Sequence, residues 1–168
     1  MEAAFLSLIE ANQHRIVRIC RYYCREEEVR KDLYQEIVYQ AWRSFQGYRG
    51  EAKASTWLYR VAINTALVHQ RRSQKRRMAR MEQVPEPSIS PDLAANLDQQ
   101  ARLDALRAAI DALPSLDQSL MLLYLEGCAY REMAKILGLS ESNVGVKLNR
   151  IKRKLGQQLN PSSTSESS

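Results

Sequence analysis

Residues 130–155 read YREMAKILGLSESNVGVKLNRIKRKL. In this stretch Ala134 is followed four residues later by Gly138, and Leu139 and Val144 come soon after. A helix-turn-helix needs this order, because a small residue lets two helices cross closely, a glycine permits a tight turn, and apolar residues lock the helices together. The stretch therefore predicts two short helices joined by a turn at Gly138.

The second predicted helix has one apolar face and one polar face. The residues expected to pack inward recur at helical spacing and are Val144, Leu148, Ile151 and Leu155. The polar residues expected to point outward are Ser142, Asn143, Lys147, Asn149, Arg150, Arg153 and Lys154. Such a helix can place its N-terminal half in the major groove of duplex DNA while its basic C-terminal half meets phosphates. Ser140 or Ser142 can cap its N-terminus.

Positive charge is concentrated in two segments of the chain. The formal net charge is +6, yet residues 52–81 contain eight basic residues and no acid, and residues 142–154 contain five basic residues and no acid. The rest of the chain is therefore acidic. Two basic segments favour two separate contacts with a polyanion, with nucleic acid as the first candidate. The alternative is a pair of solvated helix faces, or an ordinary helical hairpin at residues 130–155.

The composition excludes several classes of protein. With 45% hydrophobic residues the chain can bury a core, so wholesale disorder is not expected. No apolar run approaches the roughly 20 residues that span a bilayer, and the N-terminus lacks a secretion signal. We therefore expect a cytoplasmic protein without membrane insertion.

The three cysteines do not form a disulfide framework. Cys20, Cys24 and Cys128 are an odd number, which agrees with a reducing compartment. Cys20, Cys24 and the nearby His14 could suggest a zinc site, but a fourth ligand is missing. We expect buried cysteines, with no metal and no cofactor.

The remaining sequence predicts helices. Apolar residues recur at helical spacing from about Ala3 to Cys24, from Val29 to Phe45, and again from Leu58, with Ser55 as the N-cap of that third helix. The periodicity fails from about residue 79 to residue 96, where three prolines cluster. No segment alternates with period two, so the predicted fold is all-α.

These patterns predict two small helical domains joined by a flexible linker. We expect the first domain at residues 1–80, the linker at 81–100, the helix-turn-helix domain at 101–159, and a disordered tail at 160–168.

Aromatic residues crowd the sequence just before the first basic segment. Nine of the twelve lie between Tyr22 and Tyr59. A glycine-containing loop flanked by aromatics and followed by basic residues suits single-stranded nucleic acid, where bases stack on rings. Aromatics on helix faces are usually core residues, and we expect this for Trp42, Phe45 and Trp57. The residues favoured for contact with DNA are Tyr48, Tyr59, Arg60 and Asn64.

Several motifs carry a family resemblance. Residues 32–42 (DLYQEIVYQAW), 45–50 (FQGYRG), 56–66 (TWLYRVAINTA), 112–114 (ALP) and the helix-turn-helix resemble, in order and spacing, a bacterial RNA polymerase sigma factor of the extracytoplasmic-function group. The resemblance covers roughly residues 3–158. It implies an initiation factor without catalytic residues whose partners are core RNA polymerase, promoter DNA as duplex and as melted strand, and an anti-sigma factor.

The resemblance also implies a division of labour among surfaces. Polymerase docking would use Asp32, Gln35, Glu36 and Tyr39. Melting of the downstream (minus 10) promoter element would use Tyr48, Arg49, Tyr59, Arg60, Asn64, Arg71 and Arg72. Reading of the upstream (minus 35) element as duplex would use the seven outward residues of the second helix of the helix-turn-helix.

Two adjacent positions depart from the family pattern. Many members carry a basic and a hydroxyl residue where this chain has Gly145 and Val146. Gly145 weakens a helix by roughly 1 kcal/mol relative to alanine, and we expect it to permit a close approach to the DNA backbone or to a thymine methyl.

Two other classes of function fit the sequence less well. A conventional helix-turn-helix regulator whose first domain senses a partner or ligand would bind duplex DNA tightly without polymerase, and it gives no reason for an aromatic loop beside a basic helix. An enzyme has little support, because the chain lacks a phosphate-binding glycine loop, a paired His-Glu metal motif and a nucleophile elbow.

Overall fold

The computed structural model describes residues 1–80 and 94–160 of the chain, and these residues form seven helices without any strand. The helices are α1 (Glu2–Tyr23), α2 (Glu27–Phe45), α3 (Ala54–Arg80), α4 (Ala94–Asp111), α5 (Ser115–Leu125), α6 (Tyr130–Leu137) and α7 (Glu141–Leu159). The predicted all-α fold is confirmed.

The helices form two compact units. The first unit contains α1, α2 and α3, each of which packs against the other two. Its core follows the predicted stripe of α2, since Leu33, Ile37 and Ala41 are fully buried. Ile16 of α1 and Ile63 of α3 are buried with them. Residues at i, i+4 spacing lie on one side of a helix, which explains why Leu33, Ile37 and Ala41 all face the core.

α3 starts earlier than the sequence predicts, and its C-terminal part lies outside the core. It starts at Ala54, so Ser55 lies inside its first turn and the prediction of Ser55 as the N-cap is wrong. The Trp57 backbone N–H donates to the Lys53 carbonyl, so the helical hydrogen bonds already begin at Lys53. The last buried residue of α3 is Ala66, and the helix continues to Arg80 with its basic residues exposed.

The second unit contains α4, α5, α7 and the beginning of α6. α7 packs against both α4 and α5, with Val144 and Leu148 fully buried. The buried polar side chains of α5 are hydrogen-bonded: Gln118 Nε2 donates to the Asp111 carbonyl at 2.9 Å, and Ser119 Oγ donates to the Ser115 carbonyl at 3.0 Å. A buried polar group without such a partner would be costly.

The turn predicted at Gly138 is present. Gly138 has a φ of 68°, and the Leu139 N–H donates to the Ala134 carbonyl at 3.0 Å. This six-to-one bond closes α6 with a Schellman motif, which needs a left-handed residue that glycine adopts without strain. α7 begins at Glu141, three residues after this glycine.

The predicted domain limits fall partly on residues that the structure does not describe. α3 ends at Arg80, where the first domain was predicted to end. Of the predicted linker 81–100, residues 81–93 lie outside the described residues, and α4 begins at Ala94 within it. Of the predicted tail 160–168, only residue 160 is described.

Candidate nucleic-acid interfaces

A serine side chain caps the N-terminus of α7. Ser140 Oγ accepts a hydrogen bond from the Asn143 backbone N–H at 3.2 Å, and so Ser140, rather than Ser142, is the N-cap. The cap satisfies one of the N–H groups that a helix start leaves unpaired. Ser142 is thereby left exposed at the start of the helix.

The two faces of α7 have the predicted orientation. Val144, Leu148, Ile151 and Leu155 are buried. The seven residues predicted to point outward are all exposed except Lys147, which is half-buried. Lys152 is the one basic residue of segment 142–154 outside this set, and its Nζ lies 3.9 Å from the centre of the Tyr124 ring of α5. Lys152 therefore contributes a cation–π contact within the unit.

Gly145 and Val146 lie on different sides of α7. A Cβ placed on Gly145 would lie 3.5 Å from Cε2 of Tyr130, the first residue of α6. Val146 is 57% exposed on the outward face. The expectation that Gly145 approaches DNA is therefore not supported, because this residue faces the neighbouring helix.

Gly145→Ala is expected to stabilise the second unit. Gly145 has helical backbone angles, and the added methyl would meet the Tyr130 ring at an ordinary contact distance. Alanine also removes the conformational freedom of glycine from the unfolded chain, so the free energy of unfolding should rise by about 0.5–1 kcal/mol. Urea denaturation of both chains tests this, and a decrease would show that the helix pair cannot accept a side chain here.

A cavity opens at the loop between α2 and α3. It has a volume of about 600 Å³ and is lined by Arg43, Ser44, Gly47, Tyr48, Arg49, Glu51, Ala52, Trp57 and Arg60. Three arginines against one glutamate make the lining electropositive. The cavity thus brings together Tyr48, Arg49 and Arg60 from the residues predicted to contact the downstream element.

The loop around this cavity is held by its own residues. The Tyr48 hydroxyl donates to the Ala52 carbonyl at 2.5 Å, and the Tyr48 ring lies 5.0 Å from the Trp57 ring, centre to centre. Gly50, at the exposed bend, has a φ of 73°, a conformation that most side chains disfavour. Tyr48 is therefore fixed at the wall of the cavity rather than free to swing.

The three aromatics predicted to be core residues form a cluster at the surface of the first unit. The Phe45 ring lies 5.3 Å from Phe5 and 6.1 Å from Trp57, and the Trp42 ring lies 5.0 Å from Phe5. Phe45 and Trp57 are half-buried, whereas Trp42 is 41% exposed. The prediction of a core position is therefore wrong for Trp42, which covers Phe5 from outside.

Tyr59 also differs from its prediction. It is only 7% exposed, and its ring lies 6.0 Å from the Arg15 guanidinium carbon of α1. Since α3 packs against both α1 and α2, its buried face is wider than a single helical stripe and includes Tyr59. This burial does not favour the expected contact of Tyr59 with DNA, which stays a prediction.

A second groove runs between α2 and α3. Its volume is about 480 Å³, and its lining residues are Asp32, Glu36, Gln40, Asn64, Thr65, Val68, His69, Arg72, Ser73 and Arg76. Asn64 and Arg72, predicted to contact the downstream element, thus lie beside Asp32 and Glu36 rather than at the loop cavity. Arg71 is exposed on α3 and lines neither of these two depressions.

The residues predicted to dock on polymerase share one face of α2. Asp32, Gln35 and Tyr39 are exposed and Glu36 is half-buried. Gln40 Nε2 donates to Glu36 Oε1 at 2.8 Å. Tyr39 is 54% exposed and lies 5.8 Å from the Arg43 guanidinium carbon. The face therefore combines acidic groups with an exposed aromatic ring.

The cysteines at the end of the first helix are buried in the first unit. Cys20 and Cys24 are buried, and burial raises the pKa of the Cys20 thiol to about 12. Among the described residues, no three histidine, cysteine or acidic side chains are grouped so as to hold a metal ion. Nor does any described helix combine the length and apolarity needed to cross a bilayer.

Comparison with known proteins gives a consistent family. The sigma-70 region 2 model matches residues 8–77, and the sigma-70 region 4 model matches residues 103–155. The chain is 29% identical to the ECF RNA polymerase sigma-E factor of Escherichia coli, with 95% of this chain and 88% of that protein covered. It is 25% identical to the factor of the same name from Haemophilus influenzae, over 94% of this chain and 88% of that protein.

Two solved structures share the fold. One is the sigma factor RpoE in complex with the anti-sigma factor NepR from Bartonella quintana, with a TM-score of 0.65, 17% identity, and 96% and 97% of the two chains covered. The other is CnrH in complex with the cytosolic domain of CnrY, with a TM-score of 0.69, 20% identity, and 97% and 92% covered. By the two family-model matches, residues 8–77 correspond to sigma region 2 and residues 103–155 to sigma region 4, and the chain belongs to the extracytoplasmic-function group of RNA polymerase sigma factors.

Proposed function

We propose that this chain binds core RNA polymerase and directs transcription initiation at specific promoters. In this proposal the second unit reads the upstream element as duplex DNA, and the first unit opens the downstream element. The observation that carries it is the outward face of α7, where exposed polar and basic side chains lie opposite a fully buried apolar face.

The proposed reading of duplex DNA follows the length and polarity of α7. Residues near its N-terminus, including Ser142 and Asn143, would contact base edges in the major groove. Arg150 lies two turns further along and can donate two hydrogen bonds to one guanine. Arg153 and Lys154 would contact phosphates, which fix the register without reading sequence.

The proposed opening of the downstream element uses the loop cavity. A flipped base costs a few kcal/mol of lost stacking and pairing, and a pocket with aromatic rings and hydrogen-bonding groups offsets that cost. Tyr48 and Trp57 supply the rings, and Arg43, Arg49 and Arg60 supply positive charge for the strand backbone. Because the Tyr48 hydroxyl is tied to Ala52, the ring is positioned before the base arrives.

Asn64, Arg71 and Arg72 are proposed to follow the strand beyond the cavity. They lie further along α3 and are exposed. Asn64 and Arg72 share the second groove with two acidic residues, so a strand that passes there contacts the α3 side of the groove. Asn64 can hydrogen-bond a base edge or the backbone, whereas the two arginines would contact phosphates.

The exposed face of α2 is proposed to dock on polymerase. Asp32, Gln35, Glu36 and Tyr39 recur at i, i+3, i+4 and i+7, so they present one continuous strip to a partner. Exposed tyrosines often account for much of the free energy of binding at protein interfaces. An anti-sigma factor is also proposed as a partner, because both solved structures named above are complexes with a second protein, and NepR is an anti-sigma factor.

Arg150→Ala should weaken binding of the upstream element by about 1–3 kcal/mol if Arg150 makes a bidentate contact to one base. The loss should be largest for DNA that carries the preferred base at that position. Arg153→Ala is the matched comparison, because a phosphate contact weakens binding to all sequences equally and lowers the salt dependence. Fluorescence anisotropy of holoenzyme on labelled duplexes measures both, and an Arg150→Ala affinity equal to wild type would remove Arg150 from base readout.

Selection of DNA from a random duplex library tests the proposed function. The full chain is mixed with core RNA polymerase, and the retained DNA is sequenced. We expect two enriched elements at fixed spacing, obtained only when polymerase and chain are both present. Enrichment of a single element by the chain alone would instead indicate a conventional helix-turn-helix regulator.

A further inference from the structure

Val146 is an exposed apolar residue within the polar face of α7. It is 57% exposed, although the other aliphatic residues of segment 141–155 are buried. At i−4, i+3 and i+4 it has Ser142, Asn149 and Arg150 as neighbours on the same face, and all three are exposed. Val146 therefore lies in the middle of the surface that is proposed to enter the major groove.

The packing of the second unit does not account for Val146. The inward side of α7 is filled by Val144, Leu148, Ile151 and Leu155, and the flank toward α6 is occupied by Gly145. Valine is also a moderate helix former with one dominant rotamer in a helix. A stiff apolar side chain at this position is suited to a contact that forms only when α7 binds its target, because little rotamer entropy is lost.

The chemistry of the major groove identifies one partner for such a side chain. Base edges there carry hydrogen-bond donors and acceptors, and the only apolar group is the C5 methyl of thymine. Valine has no donor or acceptor, so it cannot read the other groups. Asn149 and Arg150, its neighbours on the helix, can read a purine beside that thymine.

We propose that Val146 contacts the C5 methyl of one thymine in the upstream element and makes that position a determinant of promoter specificity. This inference rests on the proposed function, since it needs α7 in the major groove. It assigns the apolar contact to Val146 rather than to Gly145, which faces Tyr130. A protein partner on this face is the competing source of an apolar contact.

Removal of single methyl groups from the DNA tests the inference. In the selected upstream element each thymine is replaced in turn by deoxyuridine, which keeps every hydrogen-bonding group and lacks only the methyl. Wild-type holoenzyme should bind about fourfold more weakly at one position and be unchanged at the others, as expected for one buried methyl. Val146→Ser holoenzyme should bind the thymine and deoxyuridine duplexes equally.

Two further variants sharpen the result. Val146→Thr keeps one methyl in nearly the same shape and should retain part of the preference. A 5-methylcytosine at the sensitive position should bind better to wild type than cytosine does, because the methyl returns while the hydrogen-bonding pattern stays that of cytosine. Val146 is exposed, so Val146→Ser should leave the midpoint of urea denaturation nearly unchanged, and circular dichroism verifies the fold.

Several results would overturn the inference while the proposed function survives. One is sequence-specific binding without sensitivity to any thymine methyl, or without a thymine in the selected element. Another is a methyl sensitivity that Val146→Ser leaves intact, which would assign the methyl to another residue. A third is a Val146→Ser chain with weaker polymerase binding and unchanged DNA preference, which would indicate a protein contact. Failure of the proposed function is distinct, because it would appear as no sequence-specific binding by wild-type holoenzyme.

Discussion

Leu148→Ala is expected to destabilise the second unit by about 2–5 kcal/mol and to abolish its binding to DNA. Leu148 is fully buried on α7, and this helix packs against both α4 and α5. The substitution removes apolar contacts and leaves a cavity that the three helices can only partly fill. A small unit has a few kcal/mol of net stability, so the loss is comparable to the whole.

Urea denaturation followed by circular dichroism measures this effect in the full chain. Asn149→Ala is the matched control, because Asn149 lies next to Leu148 on the same helix but is exposed. The control should change the free energy of unfolding by less than about 0.5 kcal/mol. If Leu148→Ala unfolds with the same free energy as Asn149→Ala, the packing of α7 described above is incorrect.

Tyr39→Ala is expected to weaken binding to core polymerase by about 2 kcal/mol, or roughly thirtyfold. Tyr39 is 54% exposed at the C-terminal end of the proposed docking face, so its removal costs the first unit little stability. A tyrosine that is exposed in the free protein and buried in the complex contributes a large contact area at low entropy cost. Anisotropy of a labelled chain titrated with core enzyme measures the affinity.

Tyr39→Phe distinguishes a contact made by the tyrosine ring from one made by its hydroxyl. The phenylalanine variant should bind nearly as well as wild type if the ring makes the contact, and it keeps the neighbouring Arg43 covered. Normal affinity of a folded Tyr39→Ala chain would place the polymerase contact elsewhere on the first unit.

The parts of the fold that the sequence predicted depend on single helices. The stripe Leu33, Ile37, Ala41 in α2 and the inward face of α7 follow from helical periodicity, because each stripe packs on one side. The turn at Gly138 was predictable for a similar reason, since the left-handed conformation at a helix end strongly favours glycine. None of these features needs knowledge of which helices are neighbours.

The side chains whose exposure differs from the sequence-based expectation depend on how helices assemble. Tyr59 lies beside the apolar stripe of α3, and only the packing of α3 against two helices buries it. Trp42 lies on the apolar side of α2, but Phe5 of α1 meets its ring from one side and leaves the rest exposed. A periodic pattern predicts the side of the helix on which a side chain lies. It does not predict how much of that side chain the neighbouring helices cover.

In the structure, the basic residues of one sequence segment lie on different surfaces. Of the basic residues in segment 52–81, Arg60 lines the loop cavity together with Arg49. Arg72 and Arg76 of the same segment instead line a groove that also contains Asp32 and Glu36. In the second basic segment, Lys152 contacts Tyr124. A basic segment of sequence therefore overstates the charge that a single DNA surface can present.

Runoff transcription on a selected promoter tests whether this chain directs transcription initiation. Core RNA polymerase is incubated with the promoter with and without the full chain, and permanganate maps the unpaired thymines of the downstream element. We expect a transcript of defined start and reactive thymines only when the chain is present. Absence of a chain-dependent transcript, or the same transcript from core enzyme alone, would contradict it.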